Sequence, residues 1–263
     1  MQMRCTIFPG SKLATGLLVL GFLGLVSGCT PVAESNQLTI AVAANMQFTM
    51  EQLADDFSTQ TGIGCDLVVA SSGKLTAQIQ EGAPYDVFIS ADMKYPQALY
   101  ESGMAYGQAE VYARGRLVIW TLQNEMEAGM EVLGTDEVKH IALANPQTAP
   151  YGVATQEFLD HHQLWDSLSE KFVYGESIAQ TNQFILSRSA EIGFTAMSVV
   201  LSPEVKGQGT WREVDPDLYA PIEQGIVLIR RKGTDPGPAR RFRAFLFSPE
   251  ARKVLEEFGY FVE

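Results

Sequence analysis

Leu38-Thr39-Ile40-Ala41-Val42-Ala43, then Ala44-Asn45-Met46, then Phe48, Leu53, Ala54 and Phe57 at helical spacing, is the stretch that decides the fold. The first run is apolar on both alternating sets, as a strand buried on both faces must be, and the period then changes from 2 to 3.6. The same change recurs downstream. Cys65 to Ala70 reads as a strand and Leu75 to Glu81 as a helix. Val87-Phe88-Ile89-Ser90 is the next strand, and a helix starts at Pro96 and runs to Ser102, its proline suited to the first turn. Strand and helix in strict alternation predict a parallel sheet with helices on both faces.

Further along, Arg116-Leu117-Val118-Ile119-Trp120 reads as a strand after a break, and a second alternating set follows. Ile141 to Ala144, Lys171 to Tyr174 and Ile192 to Thr195 are its strands; Tyr151 to His162 and Ile178 to Ser187 are its helices. Gly225 to Ile229 is an isolated strand before Arg230-Arg231-Lys232-Gly233, and the chain closes in helical patterns around Phe242, Phe245, Leu246, Val254, Leu255 and Phe258. A chain of 263 residues is long enough for two lobes. The expected architecture is α/β and two-lobed, each lobe a mostly parallel sheet flanked by helices. Residues 37–113 and 230–263 form the first lobe, and residues 114–229 the second. The strands near Leu117 and Val227, at the two ends of the second lobe, act as a two-stranded hinge. A ligand would sit between the lobes, at the carboxyl ends of the strands.

The N-terminus has the order of a secretory leader: Arg4 and Lys12, an apolar stretch from Leu13 to Val26, then small residues. The apolar stretch is shorter than the roughly 20 residues a membrane-spanning helix needs. Leu25-Val26-Ser27-Gly28-Cys29 resembles the bacterial lipobox, which implies removal of residues 1–28 and acylation of the Cys29 thiol. Residues 29–36 then form a polar tether, and the protein is expected outside the cytoplasm on a lipid anchor. Cys5 leaves with the leader and an acylated Cys29 is spent, so Cys65 has no disulfide partner; in its apolar run it reads as a small buried hydrophobe.

The formal net charge is −12 and becomes more negative once Arg4 and Lys12 are removed. Nucleic acid is excluded as a partner on that balance. An anionic ligand would also gain nothing from long-range attraction, so local hydrogen bonds must hold it.

The strand-to-helix joints supply such bonds. They are Ala43-Ala44-Asn45-Met46, Ala70-Ser71-Ser72-Gly73-Lys74, the run from Asn145 through Pro146, Gln147, Thr148, Ala149 and Pro150 to Tyr151 and Gly152, and Gly175-Glu176-Ser177-Ile178. Each opens a predicted helix, whose first N–H groups and dipole favour an anion. Singly, each joint is an ordinary cap. Four facing one cleft would make a neutral cage for an oxyanion.

These joints, together with Gly82-Ala83-Pro84-Tyr85-Asp86-Val87-Phe88-Ile89-Ser90-Ala91-Asp92 and Phe258-Gly259-Tyr260, resemble the periplasmic molybdate-binding proteins over roughly the whole mature chain. The resemblance implies a two-lobed protein, monomeric and without enzymatic activity or cofactor, that closes on molybdate or tungstate and passes the anion to an ABC permease and its ATPase. It places oxyanion contacts at Ala44, Asn45, Ser72, Tyr151 and Ile178, with no cation ligands. Many members carry Ser or Thr where Ala44 stands, so any contact there is through the backbone. Another branch has a tyrosine where Ala196 stands, and Tyr151 would serve in its place. Burying a dianion without partners is prohibitive, and a closed cage of neutral donors meets that cost without a countercharge. Sulfate, phosphate or another small oxyanion is the alternative ligand.

Other signals are weak. Ser72-Gly73-Lys74 has Val68 where a P-loop needs glycine, and Leu75 where it needs Ser or Thr. Asp160-His161-His162 puts adjacent histidines about 100° apart on a helix, unsuited to a shared metal. His140 stands alone before a strand, and Trp120, Trp165 and Trp211 read as packing residues. No Gly-x-Ser-x-Gly or His-Glu-x-x-His occurs. The α/β fold and the pair Asp86 and Asp92 around the Val87–Ser90 strand are the only support for a hydrolase or transferase, and Asp92 reads better as a turn cap.

Overall fold

The computed structural model describes residues 37–262. The expected leader, Cys29 and the tether lie outside the described residues.

The first lobe opens with β1 (Gln37–Ala43), α1 (Gln47–Thr61), β2 (Gly64–Ala70), α2 (Ser72–Gln80), β3 (Val87–Ser90), α3 (Lys94–Glu101) and β4 (Glu110–Gly115). The second contains β5 (Leu117–Thr121), α4 (Met130–Leu133), β6 (Ile141–Ala144), α5 (Pro150–His161), α6 (Trp165–Leu168), β7 (Phe172–Gly175), α7 (Ile178–Leu186), β8 (Ile192–Ala196), α8 (Met197–Val200) and β9 (Thr210–Glu213). The chain then returns through β10 (Ile222–Leu228), α9 (Gly237–Leu246) and α10 (Pro249–Glu257).

Two five-stranded sheets result, ordered β2-β1-β3-β10-β4 and β7-β6-β8-β5-β9. In each, the first three strands are parallel and the fourth is reversed, β10 against β3 and β4, and β5 against β8 and β9. The two sheets therefore have one plan, four strands in one direction and one reversed. The most deeply buried runs, β1 and β3, lie inside the first sheet, while β2, with Asp66 exposed, lies at its edge. Alternate residues feed two cores. Ile40, Val42 and Ile89 pack with Phe57, Phe242 and Leu255 under α1, α9 and α10; Ala41 and Phe88 pack with Leu75 and Leu99 under α2 and α3. Gly62 ends α1 at φ 71, where a Cβ would be strained.

Two boundaries differ from the sequence reading. Ile222–Leu228, assigned above to the second lobe, pair in the first sheet: Val227 lies opposite Phe88 and Ile226 opposite Ile89. Arg114 and Gly115 likewise belong to β4, paired with Glu223 and Ile222. The chain thus crosses out just after Gly115 and back just before Ile222. Strand pairing is a non-local choice that periodicity does not encode. β4 was missed as a strand because Glu110-Val111-Tyr112-Ala113-Arg114-Gly115 is an edge segment with no continuous apolar run.

Candidate functional site

All four joints arrive at one place. A tight, partly open cavity of about 10 Å³ is lined by Ala43, Ala44, Asn45, Ser71, Ser72, Ala91, Ala149, Pro150, Tyr151 and Ile178. Every residue expected to contact an oxyanion is in that lining. Larger hollows exist: about 320 Å³ beside Phe247 and Phe261 and about 520 Å³ beside Arg188, both remote from the joints, and about 240 Å³ beside Tyr95 and Pro150 at the flank of the same cleft. A small anion needs converging donors in a small space, so volume does not choose the site.

The joints converge because β1 and β6 sit inside their sheets and their carboxyl ends face one another. Ala43, Ala44 and Ala91 of the first lobe share an apolar cluster with Ala149, Tyr151 and Ile178 of the second. Small side chains at 43, 44 and 91 let the two backbones come close. Around the apolar seam stand the helix starts, each with N–H groups its own helix cannot satisfy. Ala44–Met46 is a 3₁₀ turn, and α2, α5 and α7 begin at Ser72, Pro150 and Ile178. Ser71 and Ser177 cap α2 and α7, accepting from Lys74 N (3.4 Å) and Gln180 N (3.5 Å). Pro150 has no N–H, so Tyr151 offers the first one in α5.

The side chains differ in what they can do. Ser72 is buried, and its Oγ accepts the Ala91 N–H at 3.0 Å, leaving its own O–H to donate. Tyr151 is 1% exposed, and its hydroxyl makes no close hydrogen bond among the described residues, the Asn45 side chain beside it being its one polar side-chain neighbour of note. Burial, and then the neighbouring Tyr260, Tyr219 and Tyr112, push its pKa well above the ordinary tyrosine value, so it stays a donor.

Asn45 is otherwise engaged. Its Nδ2 donates to Gln224 Oε1 (2.8 Å) and to the Tyr260 hydroxyl (3.1 Å). Both amide protons are therefore spent inside the protein, and what remains for a ligand is the backbone N–H of the turn. Gln224 reaches Asn45 beside a bulge in the β10–β4 pairing at Gln224/Gly225. The residues that hold this turn, Gln224, Ser198 and Tyr260, were not singled out as such from the sequence, because they are distant along the chain.

The charged candidates have structural partners. Asp86 accepts from Thr39 N (2.9 Å) and pairs with Arg231. Asp92 caps its turn, accepting from Tyr95 N at 3.2 Å, and burial raises its pKa. Lys74 pairs with Glu176 across the cleft at 3.1 Å, both largely exposed. Burial pushes the Cys65 thiol up to about 11, which makes it unreactive at neutral pH. No group of three metal-ligating side chains exists among the described residues, and no helix among them is long and apolar enough to cross a membrane.

A family model described as bacterial extracellular solute-binding protein matches residues 38–261. The molybdate-binding protein ModA of Rhodobacter capsulatus is 35% identical over 92% of this chain and 94% of its own. That of Azotobacter vinelandii is 36% identical over 87% and 91%. The solved periplasmic molybdate-binding protein of Azotobacter vinelandii superposes with a TM-score of 0.80 at 35% identity, covering 86% of this chain and 99% of that one.

Proposed function

The chain belongs to the bacterial extracellular solute-binding proteins, and from that premise we propose that it binds molybdate between its lobes and delivers it to an ABC permease. The observation that carries the reading is the meeting of four helix starts on one small cavity, where the Ser72 hydroxyl is left free to donate. In the proposed complex the backbone N–H groups at Ala44, Asn45, Tyr151 and Ile178 and the hydroxyls of Ser72 and Tyr151 surround the oxyanion. The donors are neutral, so the anion's charge is met by oriented dipoles in place of a cation. Nothing charged then holds the ligand once the lobes part, which suits release to a permease.

Tungstate, close to molybdate in size, belongs to the same proposal. Cleavage before Cys29, acylation of its thiol and a monomeric state complete it, with the lobes taken as 37–115 with 222–262, and 117–213. Calorimetric titration of the mature domain with molybdate, tungstate, sulfate and phosphate tests it. One-to-one binding of the first two, with sulfate and phosphate far weaker, is expected. Preference for sulfate or phosphate overturns the ligand, and silence with all four overturns the function.

A further inference from the structure

Gly73 stands in the first turn of α2 with φ outside the left-handed region, so its backbone gives no reason for glycine. An unsubstituted helix position would be better filled by almost any other residue. The reason lies across the cleft. The Gly73 N–H donates to the Thr148 carbonyl at 3.0 Å, joining the first lobe to the second. A Cβ at residue 73 would stand 2.8 Å from the Tyr95 hydroxyl, 3.0 Å from Thr148 O and 3.1 Å from Thr148 Cα. The Tyr95 hydroxyl ends a movable side chain. Thr148 is backbone, in a turn pinned by Thr148 N and Ala149 N donating to Asn145 O at 3.1 and 2.9 Å, and cannot easily retreat. Two further contacts bridge the lobes beside it, Tyr95 OH to Gln147 O (3.4 Å) and Lys74 to Glu176 (3.1 Å).

We infer that Gly73 and the Thr148 carbonyl form the closing contact of the two lobes: the missing side chain at residue 73 sets how far they close, and so how firmly the anion is retained. The inference rests on the proposed oxyanion-binding function. Helix position and cleft position make opposite demands on residue 73. With the lobes apart, Gly73→Ala meets, besides its own helix, only the movable Tyr95 side chain of the same lobe, and the helix gains. With the lobes together, the added methyl presses on Thr148, breaks the 3.0 Å hydrogen bond and leaves the cavity ajar.

The experiment compares wild type with Gly73→Ala in molybdate titration, in thermal unfolding without ligand, and in the molybdate-induced change of scattering radius. The expected result is affinity weakened roughly tenfold or more, as for loss of one hydrogen bond of the closed state. The ligand-free midpoint should be unchanged or higher, and the molybdate-induced contraction smaller than that of wild type. Adding Tyr95→Phe to Gly73→Ala should not restore affinity if Thr148 is the obstacle. Equal affinity and equal contraction in wild type and Gly73→Ala overturn the closing contact and leave the function standing. A lower ligand-free midpoint in proportion to the lost affinity overturns it too, by making the effect a general loss of fold. Wild type that binds no molybdate overturns the functional reading, and the contact's role in retention with it.

Discussion

Ser198 Oγ, which follows a strand of the second sheet, donates a 2.7 Å hydrogen bond to the backbone carbonyl of Asn45 at the end of the first strand. Tyr260 completes a ring: Asn45 Nδ2 donates to its hydroxyl (3.1 Å), and that hydroxyl donates to Ser198 Oγ (3.0 Å). The single Tyr260 proton has two acceptors within reach, Ser198 Oγ and the Asn45 carbonyl (3.1 Å), so the three residues form one connected buried network that orients the Asn45 amide.

Asn45→Ala should therefore weaken the fold as well as the site. It leaves the buried Gln224 Oε1 without its donor and opens the ring. A loss of about 1–3 kcal/mol in ligand-free urea unfolding is expected. Weakened molybdate binding with unchanged ligand-free stability would contradict the assignment of its side chain to the internal network.

Tyr151→Phe and Ser72→Ala should each weaken molybdate binding by about 1.5–3 kcal/mol, the worth of a hydrogen bond to a charged group. Their effects on the ligand-free protein should part. The Tyr151 hydroxyl is buried and makes no close hydrogen bond, so its removal should cost little stability. Ser72 accepts the Ala91 N–H, so its removal should cost stability. Calorimetry and denaturant unfolding on both variants check this.

Molybdate affinity should be flat between about pH 6 and 9, because Tyr151 is the single titratable group in the cavity lining and holds its proton throughout. Stability should behave otherwise at higher pH. Burial raises the pKa of Tyr112, Tyr151 and Tyr260 in the folded chain. A raised tyrosine pKa contributes stability that is complete below the ordinary value of about 10 and is lost as pH climbs through the raised one. A decline in unfolding free energy beginning above about pH 10 is the expected result. A decline already at pH 8 would contradict it.

Arg231→Ala should destabilise the protein by about 1–3 kcal/mol and leave molybdate affinity unchanged. It strips a buried carboxylate, Asp86, of its guanidinium while the Thr39 N–H still supports it. Urea unfolding and titration separate the two effects.

Much of the site was legible in the sequence for a local reason. A helix start is recorded in adjacent residues, and Ala44, Asn45, Ser72, Tyr151 and Ile178 each stand at a change of period from 2 to 3.6. What each side chain does there was less legible. Asn45 was expected to face the ligand, but its amide protons go to Gln224 and Tyr260, 179 and 215 residues away, partners that no local pattern names. Lys74, read as an exposed helix-start lysine, found Glu176 102 residues away.

By itself the sequence determined the strands and helices that carry the four joints, that those helix starts carry neutral donors, and that no countercharge was to be expected among them. Burial and period are properties of a short window, so a short window reveals them. Only the tertiary structure decided that Ile222–Leu228 joins the first sheet, that the four starts share one cavity, and that Gly73 lies against Thr148. Those outcomes depend on which strand edges pair and how closely two backbones approach. Pairing and approach are settled by the packing of the whole chain, where residues far apart in sequence compete for the same space.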